Sequence, residues 1–173
     1  GGEITGRAGD DVKNLGQVKV GDLVTIAYYQ SMALSAAKKG EPRAYTMGLP
    51  EVFANVKGLP AAVREVHIVG GLHPDLPWSY FIDMMKGIKE ARPDLHIKAF
   101  TAVEIFFFHR LYRMTVAQVL KELKDAGLDS LPGGGAEIFN KETRDKIIQG
   151  KADADQWLDV MREAHRQGIP TNA

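Results

Sequence analysis

Four short stretches concentrate residues able to touch a ligand: Gly70-Gly71-Leu72-His73-Pro74-Asp75, Thr101-Ala102-Val103-Glu104, Pro132-Gly133-Gly134-Gly135-Ala136-Glu137 and Pro170-Thr171-Asn172-Ala173. Glycine pairs let a backbone approach a ligand closely and offer unhindered amides. Glu104 and Glu137 have carboxylates that accept hydrogen bonds from hydroxyl or amino groups, and His73 suits a ligand contact or an acid or base. Each has a plainer reading. Glycines after a strand also make tight turns, and a loop histidine beside a carboxylate such as Asp75 is as often structural. His67 and His96 lie in or beside expected strands and read as satisfied structural histidines. The run Ile105-Phe106-Phe107-Phe108-His109 reads as core or buried interface, and Trp157 as a packing residue. No lysine-serine or lysine-threonine pair follows Gly133-Gly134-Gly135, so this is not a P-loop.

These stretches matter because of the elements that lead into them. Val66, Ile68 and Val69 predict a buried strand over 65–69, and further strands are expected over 95–102, over 128–131 and from 168 onward. Helices are expected between them. One covers 50–57, and a second covers 78–91 with Phe81, Met84, Met85 and Ile88 on one face. Thr115 caps a third, with Val116, Val119, Leu120 and Leu123 inward and Gly127 at its end. The last opens at Asp153 or Asp155 and carries Trp157, Leu158, Met161 and His165. Strands separated by helices are the pattern of parallel βαβ units, so the fold class is α/β. All four stretches then fall at the carboxyl ends of strands, where such folds gather their chemistry. Periodicity alone leaves a barrel and an open doubly wound sheet both standing.

Composition narrows the function classes. Hydrophobic residues at 45% and charged residues at 25% are globular values. Lysine plus arginine and aspartate plus glutamate stand at 22 each, which gives no net field to draw in nucleic acid or an anionic membrane. No apolar run is long enough to span a bilayer, and the first residues lack the apolar core of a signal peptide, so a cytoplasmic location is expected. With no cysteine, the chain can make no disulfide, thiolate zinc site or all-cysteine iron–sulfur cluster.

Three phrases, His-Ile-Val-Gly-Gly-Leu-His-Pro-Asp-Leu-Pro at 67–77, His-Ile-Lys-Ala-Phe-Thr-Ala-Val-Glu-Ile at 96–105 and Leu-Asp-Ser-Leu-Pro-Gly-Gly-Gly-Ala-Glu-Ile-Phe at 128–139, closely resemble the aminofutalosine synthase family. The resemblance runs from about residue 41 to 173 and takes in Ala44-Tyr45-Thr46-Met47 and Gly168-Ile169-Pro170-Thr171-Asn172-Ala173. Dehypoxanthine futalosine cyclase and the deazaflavin-cofactor synthase share part of it, but Gly-Leu-His-Pro-Asp and Lys-Ala-Phe-Thr-Ala favour the first family. The resemblance implies a (β/α) barrel of TIM type. In it a 4Fe–4S cluster reduces S-adenosylmethionine, and the resulting radical adds to an enolpyruvyl-oxybenzoate, a small-molecule substrate, in menaquinone biosynthesis. By position it implies Gly70 and Gly71 at the methionine amino group and carboxylate of S-adenosylmethionine. It also implies Glu104, Gly133, Gly134, Gly135 and Glu137 around the nucleoside and substrate, with His73 near the substrate.

The departure from that family lies near the start. The family carries a CxxxCxxC motif shortly before the Ala-Tyr-Thr phrase, and counting back puts Ile26, Gln30 and Ala33 where cysteines belong. Without thiolates the cluster is not supportable and radical cleavage by this chain is not expected. Residues 1–37 read instead as a β-rich segment foreign to the family, a hairpin turning at Gly21-Asp22, and 38–173 as a partial barrel. The chain also stops in the fourth matched strand. An open half-barrel exposes sheet edges and an expected apolar inner face, which favours self-association. The competing expectation is a non-catalytic half-barrel that binds a nucleoside or serves assembly.

Overall fold

The structure, a computed structural model, describes residues 33–34, 46–147 and 151–172. The hairpin expected near the start lies outside them. In order, the elements are β1 (Ala33–Leu34), α1 (Leu49–Lys57), β2 (Glu65–Ile68), α2 (Trp78–Ala91), β3 (His96–Ala99), α3 (Ala102–Leu111), α4 (Val116–Asp125), α5 (Lys141–Ile147) and α6 (Ala154–Arg166).

Sheet order decides what periodicity left open. β1 pairs with β2 and β2 with β3, both in parallel. Two further parallel bridges, Lys98 to Ser130 and Leu131 to Thr171, carry the sheet onward. Each new segment adds beside the one before it, with no reversal. A doubly wound sheet reverses at a switch point, whereas a steady order with right-handed crossovers lays every helix on one face and curls the sheet toward closure. The helices pack as neighbours in one layer: α2 against α1 and α4, and α3 against α4 and α6. The fold is α/β, a partial barrel.

The helix-facing side of the sheet is the core. Val66 and Ile68 of β2 and Ile97 and Ala99 of β3 are buried there, beneath Phe81, Met84, Met85 and Ile88 of α2. Burying each such large side chain stabilises by roughly 1.5–3 kcal/mol. Phe100, Phe81 and Phe108 close the top of this layer, with the Phe81 and Phe108 rings 4.6 Å apart.

The opposite face corrects an expectation. Along β2 and β3 it is polar: Glu65 and His67 alternate with the core residues, as do His96 and Lys98. Lys98 Nζ donates to Glu65 Oε1 at 3.0 Å, and His96 Nε2 shares a hydrogen bond with Ser130 Oγ at 2.7 Å. Strand alternation sends every second residue inward, and here those residues carry charge. His67 also departs from its reading as a satisfied histidine, since its Nε2 is buried with no hydrogen-bond partner among the described residues.

Helix α3 is a second correction. The strand expected over 95–102 ends at Ala99; Phe100 takes φ 61° and turns the chain, and Thr101 caps a helix. That helix carries buried Ala102, Val103, Ile105 and Phe108 and half-buried Phe106, Phe107 and Leu111. An element apolar on nearly every side shows no helical stripe, so periodicity missed it. Its start is set by a capping box, in which Thr101 Oγ1 accepts from the Glu104 N–H and the Glu104 carboxylate accepts from the Thr101 N–H. α5 was not expected either.

Candidate functional site

The carboxyl ends of the strands form a rim whose parts are joined by polar contacts, part-buried at Glu104 and exposed at His73. Glu104 is the central one. It is 4% exposed, and its Oε1 accepts from the Gly70 N–H at 2.7 Å. Its Oε2 accepts from the Thr101 N–H and hydroxyl, each at 2.8 Å. One carboxylate therefore ties the loop after β2 to the start of α3. Burial raises its pKa, and the hydrogen bonds from Thr101 and Gly70 oppose that shift.

His73 sits on the same loop and is held from two sides. Its Nδ1 accepts from the Asp75 N–H at 3.2 Å, which leaves the Nε2 proton to donate to Thr46 Oγ1 at 3.0 Å. Nearby, the Tyr80 hydroxyl donates to the Met47 carbonyl at 2.7 Å and pins the segment that carries Thr46. Burial, with a smaller push from Glu51, raises the Tyr80 pKa. His73, Gly70, Gly71, Tyr80 and Phe100 surround a hollow of about 60 Å³, room for about two water molecules and not for a nucleoside.

The glycine loop after Leu131 is organised by a residue the sequence did not single out. Arg144 of α5 is 1% exposed, and among the described residues its hydrogen bonds go to backbone carbonyls. It donates to Gly135 at 2.9 Å, Ala136 at 2.6 Å, Ile138 at 2.9 Å and Ala152 at 2.9 Å. Gly135 takes φ 85°, and a Cβ there would lie 2.4 Å from Val103 Cγ2. A Cβ on Gly134 would lie 2.9 Å from Thr101 Cγ2, and Trp157 Nε1 donates to the Gly134 carbonyl at 3.2 Å. The loop is thus pressed against the start of α3. Glu137 is exposed, with φ 34°. Thr171, on the last bridge, meets His165 Nε2 through its Oγ1 at 2.7 Å.

The structure therefore brings Gly70, Glu104, Thr101, Gly134 and Gly135 to one edge and places His73 beside Gly70 and Gly71. It leaves Glu137 on the surface. The signal for Glu104 as a cap was present in Thr101-Ala102-Val103-Glu104, the T-x-x-E spacing of a capping box. Nothing local marks Arg144, which sits in a charged stretch that reads as solvated.

Comparison with known proteins decides the family. The chain matches the model described as the Radical SAM superfamily over residues 28–173. The chain belongs to that superfamily. Among Radical SAM relatives, the aminodeoxyfutalosine synthase of Thermus thermophilus is 44% identical over 78% of this chain and 36% of its own length. That of Streptomyces coelicolor is 43% identical over 78% of this chain and 35% of its length. An FO synthase of Streptomyces avermitilis is 31% identical over 96% of this chain and 21% of its own. The chain spans about a third of the length of the aminodeoxyfutalosine synthases it matches.

Radical SAM chemistry calls for an iron–sulfur cluster, and the residues of this chain do not fit one. The sequence holds no cysteine. Ala33, where the third cysteine falls by counting, lies in β1 opposite His67. Among the described residues no group of three or more His, Cys, Asp or Glu is arranged to hold a metal.

Also among the described residues, no helix is long and apolar enough to cross a membrane.

Proposed function

We propose that this chain is a piece of an aminodeoxyfutalosine synthase-like enzyme of menaquinone biosynthesis that keeps the face for S-adenosylmethionine and a small-molecule substrate but cannot cleave S-adenosylmethionine itself. One observation carries the reading: Glu104 clamps Gly70 to Thr101 at the rim, in the phrases that match those synthases. The Gly70 N–H is occupied by that clamp, so its carbonyl is the group available to a ligand ammonium, with Gly71 beside it. Thr101 and the Gly133 to Glu137 loop, held by Arg144, flank the place where a nucleoside and substrate would lie. His73 Nε2 bears the proton nearest that place and serves as a hydrogen-bond donor once Thr46 yields.

Reductive cleavage needs an electron delivered to bound S-adenosylmethionine, and no thiolate-held cluster is available here to deliver it. The chain therefore acts by binding and positioning. Two observations support drawing the family's part of the chain toward residue 28, ahead of the boundary read at 37. Ala33 and Leu34 already pair with β2, and the family match starts at 28.

Equilibrium dialysis against radiolabelled S-adenosylmethionine tests this reading. Saturable binding that weakens at least tenfold in Glu104→Ala is the expected result. No saturable binding by a chain that melts cooperatively would contradict it.

A further inference from the structure

The connection from β2 to α2, residues 69–77, carries Gly70, Gly71 and His73, and α3 holds it near both ends. Near its start the Gly70 N–H donates to Glu104 Oε1 at 2.7 Å, in the first turn of α3. Near its end the hydroxyl of Tyr112, the C-cap of the same helix, donates to the Leu76 carbonyl at 2.8 Å. Glu104 and Tyr112 stand eight residues apart in the chain, roughly 12 Å along a helix axis. The helix is therefore a bracket for the loop.

The Leu76 carbonyl depends on this donor. Pro77 is the N-cap of α2, and the helix opens on the Pro77 carbonyl, which accepts from the Tyr80 N–H at 3.0 Å. Leu76 lies ahead of that ladder, and among the described residues no backbone N–H donates to its carbonyl. The Tyr112 ring is seated against Trp78, with centroids 5.2 Å apart, and burial raises the pKa of its hydroxyl, which keeps its proton at neutral pH.

Between the two ties the loop folds on itself. The His73 N–H donates to the Gly71 carbonyl at 2.9 Å, and the Asp75 N–H donates to His73 Nδ1 at 3.2 Å. Asp75 adjoins Leu76, so anchoring the Leu76 carbonyl also fixes the backbone that aims the Asp75 N–H at the ring. A neutral imidazole whose Nδ1 accepts carries its proton on Nε2.

We propose that Tyr112 is a positioning residue of the rim: its hydroxyl, acting through Leu76 and the Asp75 N–H, holds His73 in the tautomer with the proton on Nε2 and so sets the donor that the loop offers a ligand. The ligand in this statement rests on the S-adenosylmethionine and substrate reading of the rim; the tie itself is a property of the ligand-free chain.

Nitrogen-15 NMR of the ligand-free chain with labelled histidine, parent against Tyr112→Phe, tests the tie. Phenylalanine keeps the ring against Trp78 and removes only the hydroxyl, so circular dichroism should show both chains folded. At a pH above the His73 titration, the parent should give the Nε2–H pattern for His73. In Tyr112→Phe that pattern should shift toward a mixture of both tautomers, with exchange of the Asp75 amide at least tenfold faster. Loss of packing alone would not move the tautomer. Saturable S-adenosylmethionine binding should also weaken at least tenfold in the variant. An unchanged His73 tautomer in folded Tyr112→Phe would overturn the proposal. No S-adenosylmethionine binding by the parent would overturn the ligand reading of the rim instead, and the tautomer comparison would still decide the tie.

Discussion

Gly70 and Glu104 are 34 residues apart, and the Gly70 N–H donates to Glu104 Oε1 at 2.7 Å inside the rim. The other carboxylate oxygen caps α3 through Thr101. One side chain therefore does two jobs, ending β3 in a helix and holding the glycine pair after β2. Removing it as Glu104→Ala takes this partner from the Gly70 and Thr101 N–H groups, both part-buried, at about 0.5–1.5 kcal/mol for each hydrogen bond lost. Urea denaturation should show a midpoint well below the parent's, and an unchanged midpoint would contradict the clamp.

The same carboxyl predicts a pH dependence with a definite sign. Burial raises its pKa in the folded chain above the usual value of 4.5, so the folded state holds the proton more tightly than the unfolded one. That contribution is full below the unfolded value and is lost as pH rises through the raised folded value. Glu104→Gln cannot titrate. The stability difference between parent and Glu104→Gln, measured by urea melts from pH 4 upward, should therefore move against the parent as pH rises; a difference independent of pH would show that the group does not titrate as described.

Arg144 predicts a different loss. With Arg144→Ala the carbonyls of Gly135, Ala136, Ile138 and Ala152 lose their donor, and a cost of at least about 1.5–3 kcal/mol, the range for one hydrogen bond to a charged group, is expected. Hydrogen exchange should quicken across 133–140 before it quickens in α2. A variant within about 0.5 kcal/mol of the parent, the range of neutral surface changes, would remove Arg144 from that role.

Gly135→Ala puts a methyl 2.4 Å from Val103 Cγ2 at φ 85°. A loss of about 1–3 kcal/mol is expected from the clash and the backbone together. Adding Val103→Ala should relieve the clash but not the backbone strain, so a double-mutant cycle should show coupling. Strict additivity would place the whole effect in the backbone.

At the opposite end of the sheet, Asp94 is held at a pKa of about 2, first by its hydrogen bond from Arg92 and then by nearby positive charge, Arg64 included. Its ionised form favours the fold above the usual value near 3.8, and this contribution fades as pH falls toward 2. An NMR titration of the Asp94 carboxyl carbon should return toward the ordinary aspartate range in Arg92→Ala. A titration unmoved by that change would assign the shift to another cause.

Much of this fold is legible where local signals agree. The stripe of Phe81, Met84, Met85 and Ile88 gave a helix over 78–91, and α2 spans Trp78–Ala91. Thr115 caps α4 in a box with Gln118, and Gly127 follows its end at φ 116°. What failed has physical reasons. α3 is apolar on nearly every side and carries no stripe, and its capping box was visible only as a carboxylate awaiting a ligand. The polar inner face could not be read because alternation marks two faces without saying which one meets the helices. Arg144 was hidden because its burial depends on carbonyls brought in by a loop, and a single charged residue carries no local sign of that. Strand order, which separates barrel from open sheet, is a long-range property that no window of residues contains.

The most direct test of the central claim is to supply the chain anaerobically with iron, sulfide and dithionite, then measure S-adenosylmethionine binding and 5′-deoxyadenosine in the same samples. The account predicts saturable binding with 5′-deoxyadenosine no higher than in protein-free controls. Formation of 5′-deoxyadenosine in proportion to protein would contradict it, because a chain without a thiolate would then have delivered the electron.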